Sequence, residues 1–156
     1  MIVRQVYPLL LAYAEDGYPI KGKTRLQKII FLFQQEIFKE KNKDLGYNFV
    51  PYNFGPYSDI LQKDVEELVD NEYLKVEAKQ GLDGKYIYNY HITDKGRKLA
   101  ENLLYESKYA KFQLNRPYKL LGKIKNDANY GDLDSLLKKV YSEHPEYAKN
   151  SIYEFD

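Results

Sequence analysis

The sequence predicts a mainly α protein with a β-hairpin, an α+β winged helix-turn-helix domain followed by a helical C-terminal extension. Three observations lead there. Apolar residues recur at three- and four-residue steps in three segments before residue 71, which is helical periodicity. Two strand-like runs, Tyr73 to Ala78 and Lys85 to Ile92, flank the turn-like GLDG and read as a hairpin. Helical spacing then returns after Thr93. Helix, helix, helix, hairpin, helix assigns residues 1–95 to the winged domain and 96–156 to the extension.

Each element has its own justification. Ile2, Val3, Val6, Leu9, Leu10, Tyr13 and Ala14 share one helical face, with Pro8 starting or kinking that first helix. DGYPIKGK is turn-like. Thr24 opens a second helix, and Gln27 three residues on completes a capping-box pattern. Leu26, Ile29, Ile30, Phe33 and Ile37 form its apolar stripe, and Phe31 and Leu32 widen it, as in a helix at the centre of a core. Pro51 and Gly55-Pro56 exclude helix from YNFVPYNFGPYSDIL, and Ser58 suits the N-cap of a third helix. Ile60, Leu61, Val65, Leu68 and Val69 give that helix one apolar face. Thr93 caps a fourth helix carrying Leu99, Ala100, Leu103 and Leu104 and reaching toward Phe112. Pro117 starts a fifth with Leu120, Leu121 and Ile124. Asp132 caps a sixth with Leu133, Leu136, Leu137, Val140 and Tyr141.

Composition narrows the chemistry. The 156 residues contain no cysteine, which removes disulfides, thiol nucleophiles and Cys-ligated metals. The longest apolar stretches, Pro8 to Tyr13 and Ile29 to Phe33, fall far short of the roughly 18–20 residues of a membrane span. With no cleavage-site pattern behind Arg4, a cytoplasmic location is expected. His91 and His144 lack metal-ligand spacing, and no nucleophile motif is present, so neither an enzyme nor a cofactor is expected. Gly17, Gly22, Lys23 and Thr24 do fit the G-x-x-x-x-G-K-[ST] phosphate loop. That loop needs a buried parallel strand before it and a magnesium aspartate after another. A helical pattern ending in Glu15-Asp16 precedes it instead, so the match reads as a connection between two packed helices.

Charge is more informative locally than globally. The 24 Lys+Arg and 23 Asp+Glu leave a net +1, which exerts no long-range pull on nucleic acid. Residues 1–57 nevertheless carry 8 basic and 5 acidic groups, and residues 79–130 carry 11 and 5. Residues 58–78 carry 2 and 7, and residues 131–156 carry 3 and 6. Lys21, Lys23, Arg25 and Lys28 cluster where the second helix begins, a helix terminus that also offers free amides to a phosphate. Lys79 and Lys85 flank the wing loop. Candidate double-stranded DNA contacts are therefore Lys23, Arg25, Lys28, Lys63, Lys79 and Lys85, with Ser58 and Gln62 from the first turn of the third helix. That helix should enter the major groove, yet its outer side reads Asp59, Asp64, Glu66, Glu67 and Asp70 against Lys63 alone. Carboxylates oppose the neutralisation of phosphate on which such binding depends. Tyr86, Tyr88 and Tyr90 alternate on one face of the second hairpin strand, able either to stack bases or to pack the hairpin onto helices. The chain has 17 tyrosines and no tryptophan, and tyrosine also suits protein interfaces.

KGKTRLQKIIFLFQQE, YNFGPYSDILQKDVEELVDNEYL and YHITDKGRKLAE together resemble the YwgA-like group of small prokaryotic winged-helix proteins, and more distantly the Panacea domain of antitoxins. GDLDSLLKKVYSEHPEYAKNSI resembles the closing segment of the YwgA-like group, so the likeness covers most of the chain. LQK and GPYS are its most specific parts. The resemblance implies a winged fold, a regulatory or toxin-neutralising role and no catalytic residues. It also implies that Leu26, Ile30 and Phe33 form a buried seam, that Gly55-Pro56 fixes the turn, and that Tyr57 anchors it with Ser58 as cap. Two functions are thus expected. One is a DNA-binding transcriptional regulator acting as a homodimer through its C-terminal helices. The other is a protein-interaction module of a toxin–antitoxin or defence system that keeps the fold without sequence-specific DNA binding.

Overall fold

The computed structural model describes residues 1–109 and 113–155, a mixed α+β fold of helices around small antiparallel sheets. A 3-10 turn at Val3–Gln5 leads into α1 (Val6–Gly17), β1 (Ile20–Lys21) and α2 (Lys23–Lys41). A short ribbon, β2 (Val50–Tyr52) and β3 (Gly55–Tyr57), precedes α3 (Asp59–Asp70). The hairpin is β4 (Leu74–Gln80) and β5 (Tyr86–Ile92). Helices α4 (Asp94–Tyr109), α5 (Asn115–Tyr130) and α6 (Leu133–Glu143) complete the fold. The expected reach of the fourth helix to Phe112 lies outside the described residues.

Most expected elements are present, with instructive departures. Pro8 sits in the first turn of α1, where its missing N–H costs nothing. Regular helix stops at Tyr13, because Glu15, Asp16 and Gly17 take left-handed φ of 55°, 54° and 71°. The segment read as a turn contains β1, which pairs Ile20 with Tyr90 and Lys21 with Asn89 and makes a three-stranded sheet of order β1-β5-β4. The capping box does not form. Gly22, at φ 99°, is the N-cap of α2 with no side-chain bond, and Gln27 is drawn elsewhere. The β2–β3 ribbon was not legible either, since its proline and glycine breaks disguise three paired positions, Val50 with Tyr57, Pro51 with Pro56 and Tyr52 with Gly55.

Helix α2 is the centre of the core: Leu26, Ile29, Ile30, Phe31 and Phe33 are all essentially inaccessible. Leu9, Leu10 and Leu11 from α1, Leu61, Val65 and Leu68 from α3, and Leu74 and Tyr90 from the hairpin pack into the same cluster. So do Leu121 and Ala128 of α5 and Leu136 and Val140 of α6. Lys125 of α5 is fully buried and donates to the carbonyls of Ala12 (3.2 Å) and Ala14 (2.6 Å). Those carbonyls are left over where α1 unwinds, and a cation is the favoured partner there. Asp64 is a correction. It is only 2 % exposed, because α3 turns it onto the N-terminal 3-10 turn, where Arg4 and Gln5 donate to it. No helix among the described residues is long and apolar enough to cross a membrane.

Candidate nucleic-acid interface

Gln27 and Lys28 leave α2 toward the segment Gly55–Ser58. The Gln27 amide donates to the Ser58 carbonyl (3.0 Å) and accepts from its N–H (2.9 Å). Lys28 Nζ donates to the Pro56 carbonyl at 2.8 Å. Ser58 caps α3, its Oγ accepting from Leu61 N–H at 3.0 Å while donating to the Tyr47 carbonyl. The chain crosses from β3 into α3 inside the protein, where each unpaired backbone group would cost about 1–3 kcal/mol. The LQK and GPYS segments thus meet in space as clamp and clamped turn.

That geometry corrects two expected DNA contacts. Lys28 is 2 % exposed and Ser58 is inaccessible, so neither meets a DNA backbone lying across the surface. Burial alone drives the Lys28 pKa down to about 7. Arg25 is a partial correction: half-buried, it donates through Nε to Ala128 O, through Nη1 to Lys21 O and through Nη2 to Gly131 O. It ties α2 to the end of α5 and is not a free phosphate ligand.

The other candidates lie at the surface. Lys63, Lys79 and Lys85 are exposed and Gln62 is half-buried, its amide 3.3 Å from Glu66. Lys23 is exposed with its ammonium 4.6 Å from the Tyr88 ring centre, a cation–π contact. Register then assigns faces to the sheet. Leu74, Val76 and Ala78 stand beside Ile92, Tyr90 and Tyr88, and this face carries Ile20 into the core. The opposite face gathers Lys21, Lys75 and Lys79 with Asn89, His91 and Ile87, and Glu77 is its one carboxylate. Glu77 lies 3.3 Å from His91 and 3.8 Å from Lys79. Lys21 belongs to the basic cluster expected at the start of α2, whereas Lys75 was not singled out from sequence, though strict alternation through β4 carried the signal.

The tyrosine row divides. Tyr90 is buried, while Tyr86 and Tyr88 are 59 % and 37 % exposed. Burial raises the Tyr90 pKa. The β2–β3 ribbon adds Tyr52 and Phe54, also exposed. Around the start of α2 the surface therefore alternates aromatic rings with lysines. On α3, exposed Asp59, Glu66, Glu67 and Asp70 still outnumber Lys63, although Glu67 also accepts from Gln5.

The phosphate-loop pattern forms no phosphate cradle. Its four intervening residues include β1, which is antiparallel to β5, and all strand pairings among the described residues are antiparallel. The ammonium of Lys23 faces an aromatic ring. No group of acidic or histidine side chains suited to a metal occurs among the described residues. No protein-family model matches this sequence, and no curated protein matches it either.

Proposed function

We propose that this chain is a winged helix-turn-helix protein of the YwgA-like kind that binds double-stranded DNA and regulates transcription from the cytoplasm. The observation that carries the reading is the β1-β5-β4 sheet behind α2 and α3, whose outer face holds Lys21, Lys75 and Lys79 against Glu77 alone. The β4–β5 hairpin is the wing, with Lys79 and Lys85 beside its loop. DNA lies along this face, its backbone neutralised by lysine, while Gln62 of α3 stands with Val76, Tyr88 and Tyr90 on the opposite face and takes no part. The carboxylates farther along α3 keep that helix out of the groove. A homodimer through the C-terminal helices suits α4, whose Leu99 and Leu103 are only half-buried.

The test is binding to genomic fragments over a range of salt. Log affinity should fall linearly with log salt, and Lys79→Gln with Lys85→Gln should reduce that slope by about 2. Absence of binding at low salt removes the reading. The acidic side of α3 favours a second one, a partner-binding module of a toxin–antitoxin or defence system. A stable complex with a basic partner, lost on charge reversal at Glu66 and Asp70 and formed without DNA, would establish it.

A further inference from the structure

Between α2 and the β2–β3 ribbon opens a cleft of ≈ 270 Å³, walled by Tyr52, Phe54 and Tyr57, with Lys23, Thr24 and Lys28 supplied by α2. The Tyr52 and Tyr57 rings lie 5.4 Å apart, and Tyr52 and Phe54 are 53 % and 42 % exposed. Lys28 is the unusual element. An ammonium carries three N–H donors, and here it has one protein acceptor, the Pro56 carbonyl. Among the described residues no carboxylate lines the cleft, and the neighbour of Lys28, Gln27, is committed to Ser58. Lys125, the other buried lysine among the described residues, is better provided: two carbonyls accept from it and Glu15 acts on its charge. Taking an ammonium out of water costs several kcal/mol unless a counter-charge replaces the solvent. In this cleft the described residues supply none.

We propose that the cleft binds a small aromatic carboxylate, its ring against Tyr52, Phe54 and Tyr57 and its carboxylate at Lys28. Rings contribute offset or edge contacts beyond simple burial, and the ammonium–carboxylate bond is of the strong, charge-assisted kind. The cleft volume suits one ring with a short acidic arm, lying below the roughly 300 Å³ at which sites for drug-sized molecules begin. Binding is coupled to protonation, because the carboxylate favours the charged form of a lysine that burial holds near neutrality. The other titratable groups lining the cleft are Lys23 from α2 and Tyr52 and Tyr57 from the ribbon, and Asp59 of α3 bonds to Tyr57 at its wall. This site is independent of the DNA reading and survives its failure.

The probes are benzoate, 3-phenylpropionate and the uncharged benzamide, titrated calorimetrically at about pH 8 in two buffers of different ionisation enthalpy. At least one acid should bind saturably with uptake of a fraction of a proton that vanishes near pH 6, and benzamide should bind at least about tenfold more weakly. Phe54→Ala, which removes an exposed ring, should weaken the acid about fivefold or more. Lys28→Met should abolish binding; because it also removes the bond to Pro56, its circular dichroism is checked first, and the wild-type proton uptake stands without it. No saturable binding by either acid in the tens-of-millimolar range, equal binding of benzoate and benzamide, or unchanged binding by folded Lys28→Met would each overturn the proposal.

Discussion

Burial at single residues sets an unusual pH profile. Lys28 and Lys125 are held at about 7 inside the protein and return to the ordinary lysine range on unfolding. Between those limits the unfolded chain binds more protons, so stability rises with pH, at most by about 1.4 kcal/mol per unit for each lysine. Tyr7, Tyr47 and Tyr90 act oppositely. Burial raises their pKa values, so above about pH 10 the unfolded chain loses protons that the folded one keeps, and stability falls. Urea denaturation should find maximum stability near pH 10, with a flatter rise from about pH 7 in Lys125→Met. A maximum at neutral pH would show the lysines to be well solvated. Asp64 gives a second test: it accepts from Arg4 and Gln5, and Asp64→Ala should cost about 2 kcal/mol in the same assay. The figure sits below that of a fully buried pair because Arg4 is 29 % exposed.

At the scale of elements, close approach decides what a helix can carry. Thr93 caps α4 by accepting from Gly96 N–H at 3.0 Å, while its hydroxyl donates to Glu72 O at 2.6 Å and its backbone N–H donates to Tyr73 O. This draws the first turn of α4 onto the residue before β4. A Cβ on Gly96 would stand 2.1 Å from the Tyr73 carbonyl oxygen, and backbone there cannot yield cheaply. Gly96→Ala should destabilise by about 3 kcal/mol despite its better helix propensity, read as a lower thermal midpoint. The caps Ser58, Thr93 and Asp132 were legible in sequence because each needs only local spacing, and each bonds three residues ahead. Thr24 has the same local pattern and fails. Its partner Gln27 meets Ser58 from 31 residues away, and local spacing contains no trace of that competition.

Across the whole molecule, α5 packs on both α1 and α2 and α6 packs on α2. Leu121, Ala128, Leu136 and Val140 belong to the same apolar cluster as Leu9 and Ile30, and Lys125 closes the end of α1. Removing residues 96–156 would expose that cluster and the α1 carbonyls together. A fragment 1–95 should therefore show no cooperative thermal transition by circular dichroism, whereas the full chain should show one. A sharp transition in the fragment would mean that α1 to β5 carry a sufficient core alone. Of the candidate interface, the lysines flanking the β4–β5 loop were readable from position beside a turn. Lys28 and Ser58 were not, because side-chain type says nothing of what covers it.

The amino-acid sequence by itself determined the order of the helices, the apolar face of each and the β4–β5 hairpin, since periodicity, caps and turn residues act within a few positions. It also determined the alternation of charge along the chain. Only the tertiary structure decided which charges reach solvent. Packing turned Asp64 inward onto Arg4, committed Arg25 to three carbonyls and buried Lys28 beneath the Gly55–Ser58 turn. The same packing left Lys21, Lys75 and Lys79 together on one face of the sheet. Contacts between residues as far as 28 to 106 positions apart set these outcomes, and their energies depend on burial, which no local pattern encodes.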